Sequence, residues 1–260
     1  MLKSPGAVAF EIGPIQVYWY GIIMALAFLA GIFIATRIAK KQNENSDHIL
    51  NLAVYLIISG IISARLYFVI FNWQYYSHHL NEIFMTWLGG LSIHGGLIGG
   101  FIALLIYTRF YKLSLLKYAD ILSYGLIFAQ AIGRWGNFFN SEAFGTPTDL
   151  PFKMYIPLEK RPEIYSNYEF FHPAFLYESL WDLFVFLILF FVLRKKFKNY
   201  NGAIAFSYLI LYSIGRFIIE SIRIDSIYYV AGMPLAQFIS IILILAGIFV
   251  LTHIIRSSPE

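Results

Sequence analysis

Two arginines interrupt runs that are otherwise apolar: Arg65 in "SGIISARLYFVI" and Arg216 in "LYSIGRFIIESIR". A charged side chain at mid-bilayer costs about 2.5–3.5 kcal/mol on insertion scales. Each arginine therefore predicts a buried counter-charge or a bound anion. Tyr212, Arg216 and Glu220 are spaced i, i+4, i+8, which stacks them on one helix face. That face holds either a self-satisfying Arg216–Glu220 ion pair or part of an anion pocket, and both can be true. A third arginine, Arg134, opens "GRWGNFFNSEAFG" (133–145) together with Asn137, Asn140, Glu142 and Gly145. A planar guanidinium grips two phosphate oxygens at once. The blander reading is an interfacial turn with a snorkelling Arg134. The glycines here predict a helix break at the outer membrane boundary.

A second polar patch, "HGGLIGG" (94–100), sets His94 beside four glycines. Gly95 with Gly99, and Gly96 with Gly100, form two overlapping G-x-x-x-G pairs that let helices approach closely. His94 is either a proton acceptor, the commonest role of a catalytic histidine, or a buried hydrogen-bonding residue. Tyr18, Trp19 and Tyr20 fit an outer aromatic belt. "FHPAFLYES" (171–179), with His172, Pro173, Tyr177 and Glu178, reads as a helix start and its cap. The chain has no cysteine, so any thiol in its chemistry comes from a partner.

The elements that must carry these residues are membrane helices. Of 260 residues, 59% are hydrophobic and only 13% charged, where a soluble domain needs nearer a quarter. Seven continuous apolar segments fall at roughly 16–36, 49–71, 88–108, 118–133, 173–193, 203–222 and 234–255. The expectation is an all-α integral membrane protein, one membrane-embedded domain of residues 1–260 with seven transmembrane helices and a small extracytoplasmic cap at about 134–172. Prolines 147, 151, 157 and 162 make that connection a cap and not another helix. Eleven of the 19 lysines and arginines lie on one side: Arg37, Lys40, Lys41, Arg109, Lys112, Lys117, Arg194, Lys195, Lys196, Lys198 and Arg256. The loop 72–87 on the other side has none. This asymmetry places the N-terminus outside and the C-terminus in the cytoplasm. The net charge of +4 reflects loop residues, not a nucleic-acid surface.

Rival classes fit less well. A retinal Schiff base needs a lysine in a span, and segment 234–255 has none. A transporter predicts repeated halves with paired broken helices, and the one disrupted region has no counterpart. A seven-span receptor or transporter with an anionic-lipid pocket is the alternative.

Taken together, "WYG" (19–21), "HGGLIGG", "GRWGNFFNSEAFG", "HPAFLYE" and "YSIGRFIIESIR" resemble the prolipoprotein diacylglyceryl transferases, in order and over nearly the whole length. The stretch 133–145 fits that family's signature G-R-x-G-N-F-x-N-x-E-x-x-G at every fixed position. After Glu220 the chain departs from the pattern, since "SIRIDS" lacks the usual aromatic and proline beside Arg223. The resemblance implies a bacterial inner-membrane enzyme that moves the diacylglyceryl group of phosphatidylglycerol onto the lipobox cysteine thiol of preprolipoprotein signal peptides, releasing glycerol 1-phosphate. It implies no metal or diffusible cofactor; membrane lipids are the other partners and nucleic acid is not one. Its important positions fall on Tyr20, His94, Arg134, Asn137, Glu142, Gly145, Tyr212, Arg216 and Glu220.

Within that set, His94, Arg216 and Tyr20 are the expected catalytic residues. Arg134, Asn137, Glu142, Gly145, Tyr212 and Glu220, with Arg65 added, are the expected phosphatidylglycerol ligands. A two-chain lipid gains about 0.8 kcal/mol per buried methylene, so the site must meet it in the bilayer, near the headgroup plane. The incoming thiol, with a reference pKa near 8.5, is only about 3% thiolate at pH 7. His94 as base, or arginines that lower the thiol's own pKa, would supply the rest.

Overall fold

The computed structural model describes residues 1–225 and 228–257. Among the described residues seven helices are long and apolar enough to cross a membrane: α1 (Trp19–Lys41), α2 (Ser46–Phe71), α3 (Ile93–Phe110), α4 (Leu115–Asn140), α5 (Ala174–Lys196), α6 (Ala203–Glu220) and α7 (Leu235–Ser257). At about 1.5 Å per residue even the shortest, 18 residues, spans most of a hydrocarbon core about 30 Å thick. The protein is an all-α integral membrane protein. By backbone contacts the chain divides into two compact units, residues 1–35 with 119–260, and residues 36–118.

Several boundaries differ from expectation, two of them at the functional segments. The first helix starts at Trp19, because Val8–Ile12 (β1) pairs antiparallel with Ile15–Tyr18 (β2), turning at Gly13 with φ +59°. The fourth does not break at Gly133; it continues to Asn140. Its glycines are contact points instead. A Cβ on Gly136 would stand 2.7 Å from the Tyr20 ring, and one on Gly125 would stand 2.3 Å from the Gly31 carbonyl of α1. The chain leaves the helix where Ser141 and Ala143 adopt φ of 51° and 53°. The cap therefore begins at 141, not near 134. It builds its own apolar nucleus from Ala143, Phe144, Met154, Ile156 and Phe171, with Phe175 of α5. A short pairing of Met154–Tyr155 with Phe170–Phe171 and a bridge from Leu2 to Met154 close it.

In the first unit polar contacts set the register of α4, α5 and α6. Asp120 of α4 accepts from the Gly202 and Ala205 amides, both at 2.7 Å, so its carboxylate caps the start of α6. Higher on the same two helices Tyr208 donates to Gln130 at 3.1 Å. On α5, Ser179 donates to the Ala131 carbonyl at 2.7 Å and receives the Trp135 indole N–H at 3.2 Å. A Cβ on Gly215 would lie 2.1 Å from Trp181 Nε1; its absence admits the indole, which donates to the Leu211 carbonyl at 2.9 Å.

In the second unit α2 and α3 pack through one of the two expected glycine pairs. A Cβ on Gly95 would meet the Ser63 carbonyl at 2.4 Å and one on Gly99 the Ser63 hydroxyl at 2.1 Å. Around Gly96 and Gly100 nothing comes nearer than 3.7 Å and 3.9 Å.

Candidate active site

The register of the first unit brings charges from three helices to one end of the bundle. Glu178 and Asp182 are the fifth and ninth residues of α5, and Arg134 is six residues from the end of α4. Arg216 and Glu220 close α6, and Arg223 follows it. Glu178 is the hub. Its Oε2 lies 2.7 Å from Arg134 Nη1, and its Oε1 lies 2.5 Å from Arg216 Nη1 and 3.0 Å from Arg223 Nη1. Around it, Arg216 Nη2 meets Glu220 Oε2 at 2.7 Å and Arg134 Nε stands 3.9 Å from Asp182 Oδ2. Arg134 Nη2 donates to the Tyr212 hydroxyl at 3.4 Å.

The burial is uneven. The carboxylate side chains are 3–4% exposed, whereas Arg134 and Arg216 keep 22% and 20%. Carboxylates thus hold the arginines from behind while part of each guanidinium faces a crevice. That crevice is lined by Arg134, Glu178, Trp181, Asp182, Tyr212, Gly215, Arg216 and Ile219. Removing any partner from such a buried set leaves an uncompensated charge, so the three arginines and their carboxylates hold one another in place.

Arg223, off the pattern in sequence, is bound into this cluster. Besides Glu178 it pairs with Asp225, Nε to Oδ1 at 2.8 Å and Nη2 to Oδ2 at 2.5 Å. Asp225 and the other carboxylates beside it favour the charged guanidinium and outweigh its desolvation, pushing its pKa further up. Gly145 explains how its segment docks. Residues 145 and 223 form an antiparallel bridge, the Gly145 amide donates to the His172 carbonyl at 2.8 Å, and the Thr146 amide donates to Ile222 at 2.8 Å. A Cβ on Gly145 would sit 2.7 Å from the Ile222 carbonyl. Gly145 thus sits between His172 and the 222–223 segment.

The remaining expected residues are placed as follows. Tyr20 lies with its ring on Gly136 and is partly exposed, while Trp19 stacks on Phe139 with centroids 4.8 Å apart. Asn137 is half-buried on the last turns of α4, its carbonyl receiving the amide of the exposed Glu142 at 2.9 Å. Glu178, read from sequence as part of a helix cap, is the centre of the cluster, and Asp182 went unread. The signal was there: two acids four apart in "ESLWD", inside an apolar span, need the same explanation as the arginines.

His94 and Arg65 belong to the second unit. His94 sits in the first turn of α3 and is exposed, its ring tilted against Tyr67 with centroids 6.1 Å apart. It is not a buried hydrogen-bonding residue. Arg65, expected to bind phosphatidylglycerol, is buried and spends four of its five N–H groups on backbone carbonyls, those of Glu82, Ile83, Gly89 and Gly90. No pair of donors is left for a two-point phosphate grip.

A family model described as "Prolipoprotein diacylglyceryl transferase" matches residues 7–253. Relatives named phosphatidylglycerol–prolipoprotein diacylglyceryl transferase cover nearly the whole chain. That of a Synechocystis species is 46% identical over 249 residues, covering 94% of this chain and 88% of the relative. That of Thermosynechococcus vestitus is 44% identical over 245 residues (94% and 91%), and that of Acaryochloris marina 44% over 263 (100% and 96%).

Proposed function

The chain belongs to the prolipoprotein diacylglyceryl transferase family, and from that premise we propose how its charged cluster performs the transfer for which its relatives are named. The protein is a transferase that moves the diacylglyceryl group of phosphatidylglycerol to a prolipoprotein. A receptor or transporter is not favoured.

The acceptor is the thiol of a lipobox cysteine. Its sulfur attacks the glyceryl carbon that carries the phosphate, forming a thioether. The carbon–oxygen bond breaks, and the oxygen keeps the electron pair as glycerol 1-phosphate departs. Arg134 and Arg216, held by Glu178, take the phosphate and stabilise the charge that gathers on it, with Tyr212 as neutral neighbour. Preorganisation matters most here, since donors already fixed spend nothing on reorientation during the reaction. Glu220 orients Arg216 through its ion pair; Asn137 and Glu142 are assigned to the donor lipid and Tyr20 to the reaction, though none of the three lines the crevice itself. His94 accepts the thiol proton. The membrane is the bacterial inner membrane, with the N-terminus outside and the C-terminus cytoplasmic.

The arrangement that most supports this assignment is three guanidinium groups on one buried carboxylate, two of them opening onto a crevice at the bundle's end. The test is purified protein with phosphatidylglycerol labelled in its acyl chains and a lipobox peptide. Label is expected on the cysteine peptide and not on its cysteine-to-serine counterpart; label remaining in the lipid with both peptides would overturn the assignment.

A further inference from the structure

Arg65 lies six residues before the end of α2, and its contacts run in two directions. Nε donates to the Ile83 carbonyl at 2.8 Å and Nη2 to Glu82. Nη1 donates to both Gly89, at 2.7 Å, and Gly90, at 3.0 Å. One guanidinium thus ties both ends of residues 82–90. Its cation lies over the ring of Tyr76, itself buried, at 5.2 Å from the centroid. Gly89 and Gly90 have φ of +89° and +74°, conformations that turn both carbonyls to the same nitrogen and that only glycine adopts without strain. Two residues on, the Ser92 amide donates to the Ala64 carbonyl at 3.1 Å, next to Arg65 in the chain, and α3 begins at Ile93. His94 follows.

We propose that Arg65 is a positioning residue: by clasping residues 82–90 it fixes the point at which α3 starts and with it the place of His94. The chemistry explains the residue type. Four carbonyls taken by three nitrogens of one side chain call for the fixed fork of a guanidinium, and the Tyr76 face adds a cation–π contact. A lysine offers three donors from one atom and cannot reach both ends. The step from position to rate rests on His94 being the base; the positioning itself does not.

The test uses the full-length protein in detergent. Arg65→Lys is compared with wild type by hydrogen exchange of residues 89–96, by the rate at which diethyl pyrocarbonate modifies His94, and by kcat and KM for phosphatidylglycerol. Exchange in 89–96 should quicken tenfold or more, with 119–140 unchanged. His94 modification should change at least threefold, and kcat should fall tenfold or more with KM within twofold. Gly90→Ala keeps the guanidinium but places a methyl 2.6 Å from its Nη1, so it should produce the same exchange pattern even where Arg65→Lys does not fold. Wild-type exchange over 89–96 in either folded variant would overturn the proposal, whatever His94 does. Faster exchange together with a wild-type rate in His94→Gln would keep the positioning and remove the base assignment.

Discussion

Arg134 Nη1 stands 2.7 Å from Glu178 Oε2, and the other oxygen of the same carboxylate holds Arg216 and Arg223. A carboxylate that anchors three cations is a structural element as much as a charge. Glu178→Gln keeps the shape and one acceptor oxygen but leaves the guanidinium groups without their shared anion. Breaking a buried ion pair on one side costs about 3–5 kcal/mol. The melting temperature in detergent should fall, and transfer per folded molecule should drop at least tenfold as Arg134 and Arg216 lose their aim. An unchanged melting curve with an unchanged rate would show that the arginines are held by something else.

Arg134→Lys should not be mild. The contacts of Arg134 use Nη1, Nη2 and Nε towards Glu178, Tyr212 and Asp182, and lysine can satisfy one of these while losing the two-point grip on phosphate. Transfer should fall tenfold or more. Near wild-type activity would leave Arg134 a structural partner of Glu178 with no part in gripping the phosphate.

The two glycine pairs of "HGGLIGG" should behave differently. Gly95→Ala drives a methyl to 2.4 Å from the Ser63 backbone carbonyl, which cannot rotate away, whereas Gly96→Ala meets nothing closer than 3.7 Å. Overpacking of this kind costs about 1–3 kcal/mol, so Gly95→Ala should lower the melting temperature by several degrees. Gly96→Ala should be neutral or slightly stabilising, because alanine is the better helix former by about 1 kcal/mol. Equal effects at the two positions would contradict the packing of α2 on α3.

What the sequence made legible follows from cost. Seven apolar segments, the charges Arg216 and Glu220 that interrupt one of them, and Arg134 at the edge of another stand out because a bilayer tolerates so few such residues. Glu178 escaped because His172 and Pro173 beside it gave its segment a sufficient local explanation, and its three partners come from elements 38 to 45 residues away. The helical run of 133–140 escaped because glycine signals a break and a close contact in the same letter; only the Tyr20 ring lying on Gly136 separates them. Arg65 was legible as an expensive residue but not in its role, since its partners are backbone carbonyls 17 to 25 positions on, and carbonyls carry no sequence signature.

Orientation can be tested directly. With eleven basic residues on one side and none in the loop 72–87, the C-terminus should lie in the cytoplasm. A reporter that functions only in the cytoplasm, fused after Glu260, should be active, and one that needs export should be silent. The reverse pattern would place the Glu178 cluster on the cytoplasmic face and overturn the proposed orientation.

His94 separates chemistry from architecture. It is exposed in the first turn of α3, and the packing of that helix depends on Gly95 and Gly99, so the imidazole can be changed without disturbing the interface. His94→Gln should keep the melting temperature and phosphatidylglycerol binding. If His94 removes the thiol proton, transfer to peptide should fall by about 10² or more, the usual scale for a general base. The sign of the pH effect follows from the thiol. At pH 7 about 3% is thiolate, and each rise of one unit below its pKa near 8.5 multiplies that fraction up to about tenfold. The variant, which relies on thiolate formed in solution, should therefore regain activity as pH rises, and the gap to wild type should narrow towards pH 8.5. The measurement is a pH–rate profile of both proteins, normalised to folded enzyme. Parallel profiles would exclude His94 as the base and assign thiol activation to the field of Arg134 and Arg216.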